Sequence, residues 1–449
     1  MNPAERLDAW AKAQMAEYRL PGLVLGVYRD GEPEFVQAYG ASDLEQNVPM
    51  RRESVFEICS ITKQFTAAAL LLLQEDRKLC LDDPVSKHLP HMPAKWSTVT
   101  LRELLHHTSG INDDKVDLAA PEWNAEVLGR AASGVFRGRG EAWEYSNLAY
   151  CLLGEVVAAA SGRPFFDFLR ERIFEPLGMK NTQANHGGIV PNRVRGYRLV
   201  GDTVENGPKL PVEAGGAGAL ISTVDDLNRW STALFNGEVL SPESREAMLT
   251  PGRLASGDLA RPPWNAGGYG LGVNVGALHG HRMEKHAGGW DDASAQLTRF
   301  IDLRMTIVVL TNFGGWLMRP WGGEMVASLL IPGFSAPAFD PVPDPKPSRL
   351  QALTRLVSEL KAGSISADTV GERLHAALSN EAAWWANELI WVDAGTAQFV
   401  EAVKQGSREL VFYRQPSPGA HLIAVGFDSH GNPDSLACGI CPPCYPAFK

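Results

Sequence analysis

Three short segments of this chain carry side chains suited to hydrolytic chemistry. The first is Ser60-Ile61-Thr62-Lys63. Its continuation, Gln64-Phe65-Thr66-Ala67-Ala68-Ala69-Leu70, is strongly helical, which predicts Ser60 in the first turn and Lys63 one turn on, on the same face. A serine hydroxyl is a poor nucleophile until a base takes its proton. An amine three residues along can reach it. The start of a helix favours developing negative charge, and burial among apolar residues moves a lysine toward its neutral, base-competent form. The second segment is Tyr145-Ser146-Asn147, which follows the turn-rich Gly138-Arg139-Gly140 and precedes a helix predicted from Leu148 to Ser161. Tyr145 can act as general base or acid if a nearby cation depresses its phenol pKa. Lys63 can be that cation or a neutral base, but not both at once, and the residues leave both states open. The third segment, His286-Ala287-Gly288-Gly289, stands just before an extended run from Ala293. Two adjacent glycines let backbone approach a substrate closely. Each segment also has a plain structural reading: a solvated pair on a helix, an N-cap at Ser146 or Asn147, a hairpin turn.

The elements that would position these residues can be read from periodicity. Leu7, Trp10, Ala11 and Met15 recur at helical spacing between Pro3 and Tyr18. Leu23 to Tyr28, the turn Asp30-Gly31 and a second run to Tyr39 predict a hairpin. Far along the chain, Tyr269 to Val275, Ala293 to Phe300 and Met305 to Thr311 predict strands, the last two joined by a turn at Ile301 to Arg304. Glu324 to Ile331 predicts a closing helix. Strands at both ends of a long helical middle, about residues 55 to 250, predict one sheet built from the two ends and a helical lobe beside it. This is an α+β fold with a cleft between lobes. Pro332, Pro337, Pro341, Pro343, Pro345 and Pro347 then mark a stiff spacer. The predicted division is 1–332, a linker 333–347, and a small α+β domain 348–449. That domain has a helical stripe (Leu350, Leu353, Leu356, Val357, Leu360), an aromatic-rich stretch with Trp384, Trp385 and Trp391, and strands near 396–403, 409–414 and 421–427.

Composition narrows the function. The 449 residues are 45% hydrophobic and 21% charged, with a formal net charge of −10, as expected of a globular protein. An acidic chain with no basic block gains nothing from phosphate neutralisation, so nucleic acid is not an expected partner. No apolar run approaches the length of a membrane span, and no secretory leader is visible at Met1 to Arg6. The expectation is a cytoplasmic protein, with no membrane partner and with scope for a homo-oligomer. Of six cysteines, Cys59, Cys80 and Cys151 lie in apolar surroundings typical of free thiols. Cys438, Cys441 and Cys444 are three ligands in search of a fourth. With His430 at no recognisable zinc spacing, they are read as a loose reduced tail rather than a metal site. Other residues take structural readings: His106 and His107 in the turn before Gly110, His279 and His281 at a hairpin tip around Gly280, Asp291 and Asp292 in a solvated turn or, alternatively, set to receive a substrate ammonium, Trp316 and Trp321 against the closing helix or the cleft.

In this order, the three segments resemble the Ser-x-x-Lys, Tyr-x-Asn and Lys/His-x-Gly elements of the serine β-lactamase and penicillin-binding-protein superfamily. Leu104-Leu105-His106-His107-Thr108-Ser109-Gly110 and Phe174-Glu175-Pro176-Leu177-Gly178-Met179 resemble two further family segments. The resemblance covers about residues 5–332. Ile58 to Thr66, and a histidine in the third element, are most similar to the D-aminopeptidase branch; family VIII-type esterases use similar elements. One departure is plain: that D-aminopeptidase has two small C-terminal domains, one sending a loop into the site, whereas a single one fits after Pro347. The resemblance implies a β-lactamase-like two-lobed fold and an acyl-enzyme mechanism without metal or cofactor. In it Ser60 attacks, Lys63 and Tyr145 carry the proton, and Asn147 holds Lys63 and a substrate polar group. The N–H groups of Ser60 and Gly289, beside Gly288, form the oxyanion hole, and His286 lines the cleft and assists the phenol. The implied substrate is a small molecule or short peptide. D-amino-acid amides come first, carboxylic esters second. A catalytically weak penicillin- or peptide-binding homologue is the non-enzymatic alternative.

Overall fold

The computed structural model describes residues 2–111, 113, 125–132, 138–200, 203–262, 267–314, 322–331, 334, 342–366, 368–370, 374–375, 394–405, 408–414, 421–427 and 430–440. The chain forms two compact units, Met1–Leu199 with Val204–Gly315, and Val200–Thr203 with Trp316–Lys449. The division lies near residue 315, whereas the sequence reading drew it at 332.

The first unit is built on a seven-stranded antiparallel sheet from both ends of its chain. Its strands are β1 (Gly22–Arg29), β2 (Glu32–Asp43), β3 (Val48–Pro49), β4 (Asn274–Leu278), β5 (His281–Trp290), β6 (Ala293–Phe300) and β7 (Met305–Thr311), in the spatial order β3-β2-β1-β7-β6-β5-β4. Register is set by pairs such as Leu25↔Val309 and Leu297↔Val308. Every residue of β6 and β7 is buried, so these central strands read as continuous apolar runs rather than alternating ones. Helix α1 (Pro3–Tyr18) packs on β1 and β2. Asn2 caps it, with Glu5 completing a capping box. Its buried stripe is Leu7, Trp10, Ala11 and Gln14, so Gln14 takes the place expected for Met15.

Two expectations shift. The strand predicted at Tyr269 begins only at Asn274, because Gly268 and Gly272 adopt left-handed φ of 121° and 72° and break extension. Conversely, the third chemical segment lies inside β5, paired with β6 through His286↔Leu297 and Gly289↔Ser294, and not in a turn before a strand. The two-residue turn is Asp291-Asp292, and Asp292 is buried rather than solvated. The tip at His279-Gly280 is as expected, with left-handed φ at both residues.

The middle of the unit is helical, as anticipated, around a shared core. Helix α2 (Thr62–Glu75) is buried from Thr62 to Leu73. Fully burying each of its leucines stabilises the fold by about 1.5–3 kcal/mol. Helix α3 (Asn147–Ser161) packs against α2 and against the short glycine-rich turn Gly215–Gly218. Small strands also lie in this middle: Phe56–Glu57 pairs with Leu220–Ser222, which pairs with Gln183–Ala184.

In the second unit, helix α4 (Gly322–Leu330), expected as the closing helix, precedes α5 (Ser348–Lys361). The latter turns Leu353, Leu356, Val357 and Leu360 toward a four-stranded sheet bearing Phe399, Val411, Tyr413, Ile423, Val425 and Phe427. Its strands are β8 (Gln398–Gln405), β9 (Arg408–Arg414), β10 (His421–Phe427) and β11 (Pro433–Ile440). The loose tail is corrected in part: Cys438 pairs with Ile423 inside β11. Cys441, Cys444, Trp316, Trp321, Trp384, Trp385 and Trp391 lie outside the described residues. Among the described residues no helix is long and apolar enough to cross a membrane, and no cluster of three or more His, Cys, Asp or Glu could hold a metal ion.

Candidate active site

Ser60 sits in a single 3-10 turn, Cys59–Ile61, immediately before α2. The residue before it, Cys59, has φ of +46°, a left-handed conformation that costs a side-chain-bearing residue energy and is held only by its surroundings. Those surroundings are visible. Ile58 N–H donates to Leu220 O at 3.0 Å. Gly288 of β5 presses so close that a Cβ there would lie 2.1 Å from Ile58 O and 3.0 Å from Cys59 Cβ. The close approach expected of the glycine pair is thus made, at Gly288, to the chain's own serine turn. Pairing of β5 with β4 ends at Lys285↔Asn274, so from His286 onward the edge of β5 turns to the Ser60 turn instead of to another strand.

Lys63 is 0% exposed. Its Nζ lies 3.2 Å from Ser60 Oγ, 2.8 Å from Asn147 Oδ1 and 2.7 Å from the Ala217 carbonyl. Burial lowers its pKa to about 7; the neighbouring Cys151, Asp113 and Cys59 act in the opposite direction. The two shortest contacts go to oxygens that can only accept. A neutral amine keeps an N–H for each and turns its lone pair to the Ser60 hydroxyl. The ring of Tyr145 lies beside this group, its centroid 4.7 Å from Nζ, with the Tyr150 ring at 5.4 Å. Ser60, Lys63, Tyr145 and Asn147 are therefore brought together.

His286 is placed differently from its expected role. Its Nδ1–H donates to its neighbour's carbonyl, Ala287 O, at 2.6 Å, and its Nε2 accepts from the Tyr269 hydroxyl at 3.0 Å. Burial, and then the charge of Lys63, lower its pKa to about 3. It is neutral, both ring nitrogens are engaged, and its Nε2 is bonded to the phenol of Tyr269. The turn histidines also reach further than expected. His106 Nδ1 meets Tyr269 O at 3.1 Å, and His107 Nδ1 accepts the Ser146 N–H at 3.1 Å. The His107 ring lies against that of Tyr145, centroids 4.6 Å apart and planes tilted by 39°.

Sequence reasoning missed three contributors. The Ala217 carbonyl is presented because Gly216 passes so close to α3 that a Cβ would lie 2.5 Å from Tyr150 O; the Gly215-Gly216-Ala217-Gly218 run was the available signal. Tyr269 and Asp113 carry no local pattern that marks them.

Residues 7–320 match the family described as Beta-lactamase. The chain belongs to that family, a superfamily of serine hydrolases with the two-lobed fold described above. Penicillin-binding protein 4* of Bacillus subtilis (strain 168) is 30% identical over 336 residues, 69% of this chain and 72% of that protein. The D-aminopeptidase of Brucella anthropi is 28% identical over 323 residues, 69% of this chain and 59% of the relative. Among solved structures, the D-amino acid amidase from Ochrobactrum anthropi SV3 complexed with L-phenylalanine amide superposes with a TM-score of 0.62 at 25% identity. That match covers 73% of this chain and 96% of the amidase. The family therefore spans the region that carries Ser60, Lys63, Tyr145, Asn147 and His286.

Proposed function

We propose that this protein is a serine hydrolase that forms an acyl-enzyme on Ser60 and cleaves amide bonds of D-amino-acid amides or short peptides with a free amino end. The observation that carries the reading is the coordination of Lys63: buried, lowered toward neutrality, committed to Asn147 and Ala217, and directed at the Ser60 hydroxyl. In this mechanism Lys63 takes the Ser60 proton as Oγ attacks the substrate carbonyl. Backbone N–H groups of Ser60 and Gly289 receive the oxyanion, usually the largest single contribution to such catalysis. The proton passes through Lys63 and Tyr145 to the leaving amine. Water then attacks the acyl ester, returning its proton by the same route and freeing the acid. His286, neutral and fully engaged, orients Tyr269 rather than transferring protons. The choice of amide over ester, and of D over L, rests on the likeness to the D-aminopeptidase and the D-amino acid amidase.

The test is a substrate panel: D- and L-alanine p-nitroanilide, p-nitrophenyl acetate and butyrate, and nitrocefin. We expect cleavage of the D-anilide, falling by several orders of magnitude in Ser60→Ala. Ester cleavage alone would replace the amidase reading by an esterase. A Ser60→Ala protein with full activity would end both.

A further inference from the structure

The Tyr145-Ser146-Asn147 segment brings a phenol and an amide to Lys63, yet its backbone is held from outside. Asp113 Oδ2 accepts the Asn147 N–H at 2.7 Å; its Oδ1 accepts the Leu148 N–H at 3.0 Å and the Ser146 hydroxyl at 2.9 Å. The Ser146 hydroxyl in turn caps α3 by accepting from Ala149 N–H at 3.0 Å. His107 Nδ1 accepts the Ser146 N–H, and the His107 carbonyl accepts the Glu144 N–H at 2.8 Å. His107 itself holds a left-handed φ of 58°, so its backbone and ring address the segment from both sides. Three successive N–H groups, those of Ser146, Asn147 and Leu148, thus end on side chains of the 107–113 stretch. A helix start ordinarily satisfies such groups with its own cap or with water.

We propose that Asp113 is a positioning residue for the reaction of Ser60: with His107 it clamps the start of α3 so that Asn147 meets Lys63. The inference deepens the serine-hydrolase reading and rests on it. The link is short, since the Asn147 whose N–H is bound to Asp113 accepts from Lys63 at 2.8 Å through its own side chain. The groups facing Lys63 are few in kind. Cys59 comes from the serine turn, Cys151 and Tyr150 from α3, Tyr145 from the segment before it, His107 from the preceding turn, and His286 from β5. Both imidazoles are held neutral by burial, and burial raises the Cys151 thiol pKa well above its ordinary value, so the thiol stays un-ionised. Among the described residues that act on Lys63, Asp113 is the carboxylate. It favours the protonated amine, against the burial that disfavours it.

A role in positioning these groups makes a different mark from a role in folding. Asp113→Asn keeps the shape and removes the charge, so Lys63 should release its proton at lower pH. The rate of Ser60 acylation by a fluorophosphonate probe, followed against pH, rises as Lys63 becomes neutral. In Asp113→Asn we expect its acidic limb to move down by about half a pH unit or more, with the plateau reduced tenfold or more as the clamp loosens. Ser146→Ala, which removes a cap but no charge, should lower the melting temperature and leave the limb in place. An Asp113→Asn protein that loses only melting temperature, with limb and plateau as in wild type, would overturn the proposal while leaving the role of Ser60 intact. Labelling undiminished in Ser60→Ala would instead remove the reading on which it stands.

Discussion

Lys63→Met should make the protein inactive and raise its stability relative to wild type more in acid than in base. Burial takes the lysine from its ordinary 10.5 to about 7. Over about 3.5 pH units, at about 1.4 kcal/mol each, the native state is disfavoured by about 5 kcal/mol once the pH is below the folded value. The sign follows from proton counting. Between the two values the unfolded chain binds the extra proton, so stability rises with pH; the penalty is complete below about 7 and gone above about 10.5. Methionine fills similar space without charge but leaves Asn147 Oδ1 and Ala217 O without their donor, at about 1–3 kcal/mol each. The net gain is therefore small, whereas its pH dependence is large. The margin of Lys63→Met over wild type should shrink by about 2–3 kcal/mol between roughly pH 6 and pH 9. Urea melts of both proteins across that range measure it. A margin constant with pH would refute the claim that this amine sits buried with a weakened hold on its proton, and with it the assignment of Lys63 as base.

Two other substitutions probe the framework. Gly288→Ala must push a Cβ against Ile58 O and the Cys59 side chain; because neither backbone can yield without moving the serine turn, kcat should fall tenfold or more, and stability by about 1–3 kcal/mol, as steady-state kinetics and melts would record. A variant with wild-type kcat would show that the turn does not depend on this contact. Asp292 is 2% exposed, and burial, reinforced by Glu57, raises its carboxyl pKa. Its ionised form therefore destabilises the fold as pH rises, so Asp292→Asn should gain melting temperature relative to wild type near pH 9 and lose that advantage toward pH 5; a gain confined to acid would contradict it.

Much of this protein was legible along the chain because the relevant signals are local. Helical spacing put Ser60 and Lys63 one turn apart, the run from Leu23 to Tyr39 announced a hairpin, and the stripe through Leu353 and Leu360 marked a helix that the structure bears out. Apolar periodicity also located the central strands, whose burial demands it. Other features depended on which distant segments meet. What the Lys63 amine is bound to depends on the Ala217 carbonyl, 154 residues away in sequence, and on Asn147, 84 away, while burial lowers its pKa. The place of His286 follows from its register with Leu297, which commits its ring to Tyr269. Asp113 is one acidic residue among many until folding sets it against the Asn147 and Leu148 N–H groups and the Ser146 hydroxyl at the start of α3. Residue type and spacing determine which groups can react; desolvation and hydrogen-bond partners determine in which protonation state they stand. Those last are properties of packing, to which segments far apart in the chain contribute together.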